Sequence, residues 1–289
     1  MAPPDAVALA AGDWSAALLP GQGGAFATLA WRGIELLAPL PAGADPNASF
    51  GGAFIMAPWA NRLDGGMLPV AGTSYHLPVN RPADGTAIHG LVRDAPWQVE
   101  QATPAWLVLT QATDITPLGI PWHFTAQFEV RLEGDAMTLA LRLVNTGALP
   151  FPFGLGWHPF FLRPPGTRLR LHATTLFARD ARALPVAAQP TEGIDGDEAA
   201  YAGLDTHFAG WDGEAVIIRP DCALRLEASG AWAHNLQLFA PAGGNVLCVE
   251  PVSHLPDAPN RPALAAYGPM AMLRPGESLD ARLRLTATR

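Results

Sequence analysis

Glu250 stands in Cys248-Val249-Glu250-Pro251-Val252-Ser253, just past an extended apolar run at residues 245–249. Gly243 and Gly244 precede that run, and Pro251, Pro256 and Pro259 follow it. The pattern predicts a short buried strand with an acid at its tip. Burial disfavours the charged form of a carboxyl and makes it a stronger base. A base so placed needs partners. His89, His158, Arg62 and Asp205 each lie beside a turn or a proline.

His158 lies in Gly156-Trp157-His158-Pro159-Phe160-Phe161. Proline holds the residue before it extended, and the flanking aromatics would strip water from the imidazole. An unperturbed pKa near 6.5 lets modest tuning turn a histidine into a proton donor or acceptor at neutral pH. An aromatic core cluster around a neutral histidine explains the same segment. Asn61-Arg62 precedes a Leu63-Asp64-Gly65-Gly66 turn. Arginine offers a rigid fork of N–H groups and asparagine both a donor and an acceptor, a pair suited to substrate hydroxyls. A surface-turn arginine is the plainer alternative. His89-Gly90 sits in a glycine-punctuated loop. Asp205, in Gly203-Leu204-Asp205-Thr206-His207-Phe208, reads by itself as a turn former. Gln237 is the polar member of an alternating strand. His123 and His172 fit solvent-facing strand positions, while spacing assigns no role to His76, His207, His234 or His254.

Other chemistries are excluded or unsupported. All 18 basic residues are arginine, so no lysine can form a Schiff base, hold pyridoxal phosphate or serve a P-loop. No local histidine pair or Cys/His cluster has metal-ligand spacing, so no metal and no cofactor are expected. No dinucleotide-binding glycine motif follows a strand in a βαβ context, and no G-x-S-x-G elbow occurs. Cys222 and Cys248 lie in apolar strand-like runs and read as inert core thiols. A net charge of −8 without a basic stripe argues against nucleic acid and anionic membranes as partners.

The elements that must position these residues are strands. Residues 123–133 alternate, with Phe124, Ala126, Phe128, Val130 and Leu132 on one face. Met137, Leu139, Leu141 and Leu143 continue the period after a Gly134-Asp135 turn, which predicts a hairpin. Residues 169–172, 223–228 and 281–286 repeat the alternation in shorter form, and 65–77 reads as a hairpin about Ala71-Gly72. Glycine and proline, 29 each, interrupt the chain often, and no helical periodicity exceeds two turns. An all-β sandwich of antiparallel sheets follows. The acidic, glycine-rich segment 187–200 is expected to be a surface loop. The 289 residues are expected to form one domain. Residues 1–11 lack a basic region, so no signal peptide is expected there. The apolar stretch 147–162 contains three prolines and three glycines and is not expected to span a membrane. A cytoplasmic protein is the default expectation, with monomer and homodimer both open.

Taken in order, these segments resemble the aldose 1-epimerase (galactose mutarotase) family from about Gly24 to Pro275. Pro58-Trp59-Ala60-Asn61-Arg62 resembles its Asn-Arg motif, and Ala87-Ile88-His89-Gly90 its first His-Gly motif. Gly156-Trp157-His158-Pro159-Phe160-Phe161 is similar to its His-Pro-aromatic-Phe motif. Leu204-Asp205-Thr206-His207-Phe208, Leu236-Gln237-Leu238-Phe239 and Val249-Glu250-Pro251 resemble its Leu-Asp-x-x-Phe segment and its closing Gln and Glu-Pro strands. The resemblance implies a large antiparallel β-sandwich of the galactose mutarotase type, a supersandwich. It implies that Glu250 is the general base and His158 the general acid. His89, Arg62, Asn61, Asp205 and Gln237 would then hold sugar oxygens, and Trp157 or Phe160 would offer a face for the sugar, although core packing explains both as well. Leu91, where the best-known galactose mutarotases have another glycine, suggests a less characterised branch. Three rivals stand beside this reading. One is a hexose-6-phosphate epimerase, to whose arginine cluster Arg93 could contribute. Another is a glycoside hydrolase using Asp205 and Glu250. The third is a sugar-binding module without catalysis.

Overall fold

The computed structural model describes residues 5–41 and 43–289. Two antiparallel sheets dominate. The larger has twelve strands, and its central order is Ala25–Trp31, Ala53–Met56, Gly156–Pro159, Val246–Val252, Asn235–Phe239, Asp205–Ala209 and Thr175–Arg179. The second has nine, centred on Trp106–Asp114, His123–Leu132, Ala136–Asn145, Ser278–Thr288 and Ala223–Gly230. The alternation in 123–143 is realised as a hairpin in which Phe128 faces Leu141 and Val130 faces Leu139 across the strands. The hairpin about Ala71-Gly72 joins Met67–Val70 to Thr73–His76.

The sheets pack face to face. Phe26 of the larger sheet meets Phe128 of the second edge to face, with ring centroids 6.3 Å apart. Period-two alternation then sorts the larger sheet's residues onto two buried faces. Ala53, Ile55, Trp157, Phe208, Leu236, Leu238 and Val249 join the core shared with the second sheet. Their sequence neighbours Phe54, Met56, Phe160, Cys248 and Val252 belong to a separate apolar cluster on the opposite face. By the same alternation His158, Glu250, Gln237 and His207 point to that opposite face. There a polar row reaches a cleft whose lining also includes Asn47, Phe50, Arg62 and Ile88.

Three sequence expectations change. Glu250 is not at a strand tip but inside Val246–Val252. Pro251 is tolerated because residues 248–251 have no ladder partner on one flank. Pairing there resumes only at Leu247 with Phe161 and at Val252 with Gly156. A proline at such a gap removes no ladder bond on that side. Asp205 opens a strand, opposite Phe239, rather than making a turn. Segment 187–200 is not a loop: Pro185–Pro190 and Ile194–Gly196 are strands, followed by the helical turn Glu198–Tyr201. Ala188 pairs with Phe177 and Ile194 with Leu171. Both are terminal strands of their sheets, positions that accept the prolines, glycine and charge which read as loop. Among the described residues no helix is long and apolar enough to cross a membrane.

Candidate active site

Four adjacent strands of the larger sheet each contribute one residue to a cleft: His158, Glu250, Gln237 and Asp205, in that order across the sheet. Gln237 and Glu250 are directly opposed partners, and Gln237 also pairs with His207. Side chains opposed in an antiparallel ladder share a face, so register alone aligns this row. Asp205, two residues before His207, falls on the same face. Its carboxylate accepts a 2.8 Å hydrogen bond from Gln237 Nε2 and a 3.1 Å bond from Arg179.

Asn61, Arg62 and His89 enter from the side. Arg62–Asp64 and Thr86–Ile88 form a two-stranded ribbon in which Arg62 faces Ile88. The ribbon ends on two left-handed residues, Asn61 (φ 55°) and His89 (φ 66°), and His89 N–H donates to Asn61 O at 3.0 Å. Asparagine adopts this region with little penalty, whereas histidine there carries strain of roughly 1 kcal/mol or more. The strain is held in place by Gly90, also left-handed (φ 74°). A Cβ on Gly90 would lie 2.1 Å from Ala57 O, so only glycine lets the His89 loop sit on the Ala57 segment. Asn61 Oδ1 accepts from the Arg62 backbone N–H (2.8 Å) and guanidinium (3.3 Å). Arg62 Nε donates to Asp84 at 3.2 Å.

His158 and Glu250 form the centre. His158 Nε2 lies 3.3 Å from Glu250 Oε1, and both side chains are at most 5% exposed. Phe54 stacks on the imidazole at 4.7 Å and Phe160 leans on it at 4.5 Å. His89 stands perpendicular to it at 5.2 Å. Burial, reinforced by the Asp205 charge and opposed by Arg62, pushes the Glu250 carboxyl well above its usual range. Burial also pulls the His158 imidazole down to about 3, with the Arg93 charge adding to the effect. His89 falls well below its ordinary value, first through burial and then through the charge of His158. All these shifts favour an uncharged Glu250–His158 pair holding one proton between them. Glu250 Oε2, His158 Nδ1 and Gln237 Oε1 have no hydrogen-bond partner within the protein.

All seven residues singled out in the sequence line this one cleft: Asn61, Arg62, His89, His158, Asp205, Gln237 and Glu250. Sequence reasoning missed Asn47, Phe50, Arg81, Ile88 and Phe239, which complete the lining. Phe50 and Phe239 contact each other with centroids 5.6 Å apart, and Phe50 is half exposed. They are the cleft's aromatic faces. Trp157 and Phe160 are not, because both are fully buried: Trp157 packs on Phe26 and Phe161, and Phe160 on His158. Arg93 lies behind the wall, stacked on Phe54 and paired with Asp45 at 2.8 Å. His207 donates to Asn235 at 2.9 Å, and His254 accepts from Ala60 N–H at 3.0 Å. Their partners make both structural. Folding also assembles what spacing did not suggest, a Cys/His/Glu group. One ligand atom each of His158, Cys248 and Glu250 lie within 4.8 Å of one another.

The fold and cleft define a β-sandwich protein with a buried carboxyl–imidazole pair ringed by hydrogen-bonding side chains. The chain belongs to the aldose 1-epimerase family, whose model matches residues 5–286. The Escherichia coli K12 protein YphB, described as uncharacterized, is 29% identical over 245 residues, 80% of this chain and 82% of its own length. A crystal structure from the same organism, of a protein provisionally called an aldose 1-epimerase, superposes with a TM-score of 0.87 at 26% identity and covers 98% of each chain. A galactose mutarotase-like protein from Clostridium acetobutylicum has a TM-score of 0.84 over 98% of this chain and 94% of its own. At 18% identity, it speaks to the fold alone.

Proposed function

We propose that the protein interconverts the α and β anomers of a free, unphosphorylated hexose, with Glu250 and His158 exchanging protons with the sugar. A cyclic aldose is a hemiacetal. Opening it requires removing the proton of the anomeric hydroxyl and protonating the ring oxygen. The observation that carries the reading is the 3.3 Å contact between Glu250 and His158, both buried, at the floor of a cleft lined by donors and acceptors.

One shared proton suffices for a full cycle. In the carboxylate–imidazolium form, Glu250 takes the anomeric proton while His158 gives its proton to the ring oxygen. This leaves the acid–imidazole form and an open-chain aldehyde. Rotation about the C1–C2 bond exposes the other carbonyl face, and the same two groups return the protons with roles reversed. Burial favours the acid–imidazole form; Arg62 favours the carboxylate but disfavours the imidazolium, so it is hydroxyls bound to the pair that favour the ionic form. The two forms are the ends of one cycle, so opposing biases keep both accessible. Each positioned group is worth roughly 10²–10⁴-fold in rate. Arg62 and His89 stabilise charge developing on sugar oxygens. Asn61, Asp205 and Gln237 accept and donate to hydroxyls, and Phe50 and Phe239 pack on the apolar sugar face.

A neutral sugar is favoured over a phosphorylated one because the cleft's two arginines are already committed. Arg62 and Arg81 lie 3.2 and 3.1 Å from the same Asp84 carboxylate. Polarimetry of freshly dissolved α-D-galactose and α-D-glucose tests the proposal, with glucose 6-phosphate followed by NMR anomer exchange. Faster relaxation of the free sugars is expected. Acceleration confined to the phosphorylated sugar would overturn the substrate class, and binding without acceleration would leave a sugar-binding module.

A further inference from the structure

We infer that the floor of the cleft is also a binding site for a thiophilic divalent cation such as zinc, held by His158 Nε2, Cys248 Sγ and the Glu250 carboxylate. Cys248 and Glu250 are two residues apart on Val246–Val252, so both point to the cleft side of the sheet. His158 arrives from Gly156–Pro159, across the stretch where that ladder is interrupted. The three donor atoms lie within 4.8 Å of one another. Zinc bonds of about 2.0–2.3 Å at tetrahedral angles require donor–donor separations of roughly 3.3–3.7 Å. The 3.3 Å between His158 Nε2 and Glu250 Oε1 already matches one edge of that tetrahedron. The sulfur lies within 4.8 Å of both atoms, so a shift of at most roughly 1.3 Å supplies the other edges.

A second observation points to a ligand here. Glu250 is 1% exposed, yet its Oε2 has no partner within the protein. The donor set chooses the ion. Thiolate and imidazole with a single carboxylate suit zinc or cadmium, whereas magnesium and calcium prefer oxygen throughout. Coordination replaces the S–H bond of Cys248 and the carboxyl O–H bond of Glu250 by bonds to the metal and releases both protons to solvent, with no change of oxidation state. A fourth ligand would be water, since these three residues supply only three donor atoms. Because the ligands include the pair assigned to proton transfer, cation and sugar exclude each other. That exclusion rests on the function proposed above, while binding of the cation does not.

Cobalt(II) serves as the spectroscopic stand-in for zinc, added to reduced, metal-free protein. A thiolate-to-cobalt charge-transfer band is expected at one equivalent and is bleached by added zinc. It is lost in Cys248→Ala and kept in Cys222→Ala, which removes the other thiol. Glu250→Gln, an isosteric change, should weaken cobalt binding at least tenfold. Absence of the band in wild type, or its persistence in Cys248→Ala, overturns the site. In the same titration, galactose should raise the apparent cobalt dissociation constant. Cobalt binding through Cys248 that galactose leaves unchanged, in protein that does accelerate galactose mutarotation, would refute the shared site. Zinc should inhibit wild-type mutarotation, read against a chelator-treated baseline for each variant. The inhibition constant should rise at least tenfold in Cys248→Ala, and equal zinc sensitivity there would also refute the site.

Discussion

Replacing Glu250 by glutamine separates chemistry from stability in one variant. The amide has the volume of the acid, so neither a cavity nor a clash is created among Cys248, Val249 and His158. Losing a positioned proton-transfer group should cost roughly 10²–10⁴-fold in kcat/KM, about 2.7–5.4 kcal/mol of barrier at 1.36 kcal/mol per tenfold. The fold should respond with the opposite sign. Burial and the Asp205 charge hold the native carboxyl well above its ordinary value of 4.5. The native state therefore binds the proton more tightly than the unfolded chain does. Its contribution is fully present below that ordinary value and declines as pH rises through the folded one. Glutamine has no such dependence. Glu250→Gln should match wild type near pH 4 and become progressively more stable than it toward pH 8. Polarimetry gives the first quantity, and urea midpoints across pH give the second. Turnover within threefold of wild type would refute Glu250 as a proton-transfer group. A stability difference that does not change with pH would refute the buried, elevated carboxyl.

Four further outcomes follow. His158→Asn should lose roughly 10²-fold or more in kcat; a change confined to KM would make His158 a binding group and His89 the candidate acid. Asp205→Asn should raise KM roughly 10–100-fold, the cost of weakening a charged hydrogen bond to a hydroxyl. It should also move the alkaline limb of kcat/KM to lower pH, because the Asp205 charge helps to hold the Glu250 carboxyl up; an unmoved limb would count against that coupling. Buried His158, His207 and His254 are held down to about 3, 3 and 4 against an ordinary 6.5. The unfolded chain thus takes up protons first as pH falls, and stability present above 6.5 is lost between there and about 3. Each should contribute at most about 2 kcal/mol of that loss at pH 5, visible as a falling urea midpoint. Gly90→Ala should destabilise by roughly 2–4 kcal/mol, from a left-handed Cβ and its collision with Ala57 O, and a wild-type midpoint would contradict the close approach.

The all-β architecture was readable in the sequence because a half-buried strand repeats every two residues. Phe124 to Leu132 and Met137 to Leu143 carry that period, and the hairpin register follows it residue for residue. Edge segments were harder. Pro185–Pro190 and Ile194–Gly196 have a loop's composition because a terminal strand has one unpaired side, where prolines and charges cost little. The seven cleft residues were found through motif order, which carries no distances. Phe50, Arg81 and Phe239 escaped because no local signal distinguishes a cleft aromatic or arginine from an ordinary surface one. Trp157 and Phe160 stood open between a sugar face and core packing, since each lies within two residues of His158 and sequence proximity says nothing about access; their burial decides for the core.

The chain's own chemistry excluded lysine-based and dinucleotide mechanisms, set the strand period and supplied a carboxyl and an imidazole flanked by prolines. These are local properties, decided by residue type and spacing. Tertiary structure alone decided that Gly156–Pro159 and Asp205–Ala209 flank the consecutive pair Asn235–Phe239 and Val246–Val252, so that Asp205, Gln237, Glu250 and His158 form one row. It also decided that Glu250 sits inside a strand beside a gap in the ladder, that Cys248 shares its face, and that His89 is held left-handed over Ala57. Pairing register and burial create those relations. The shifted protonation of Glu250 and His158 follows from them, because desolvation and the field of neighbouring charges exist only once the sheet has closed around the pair.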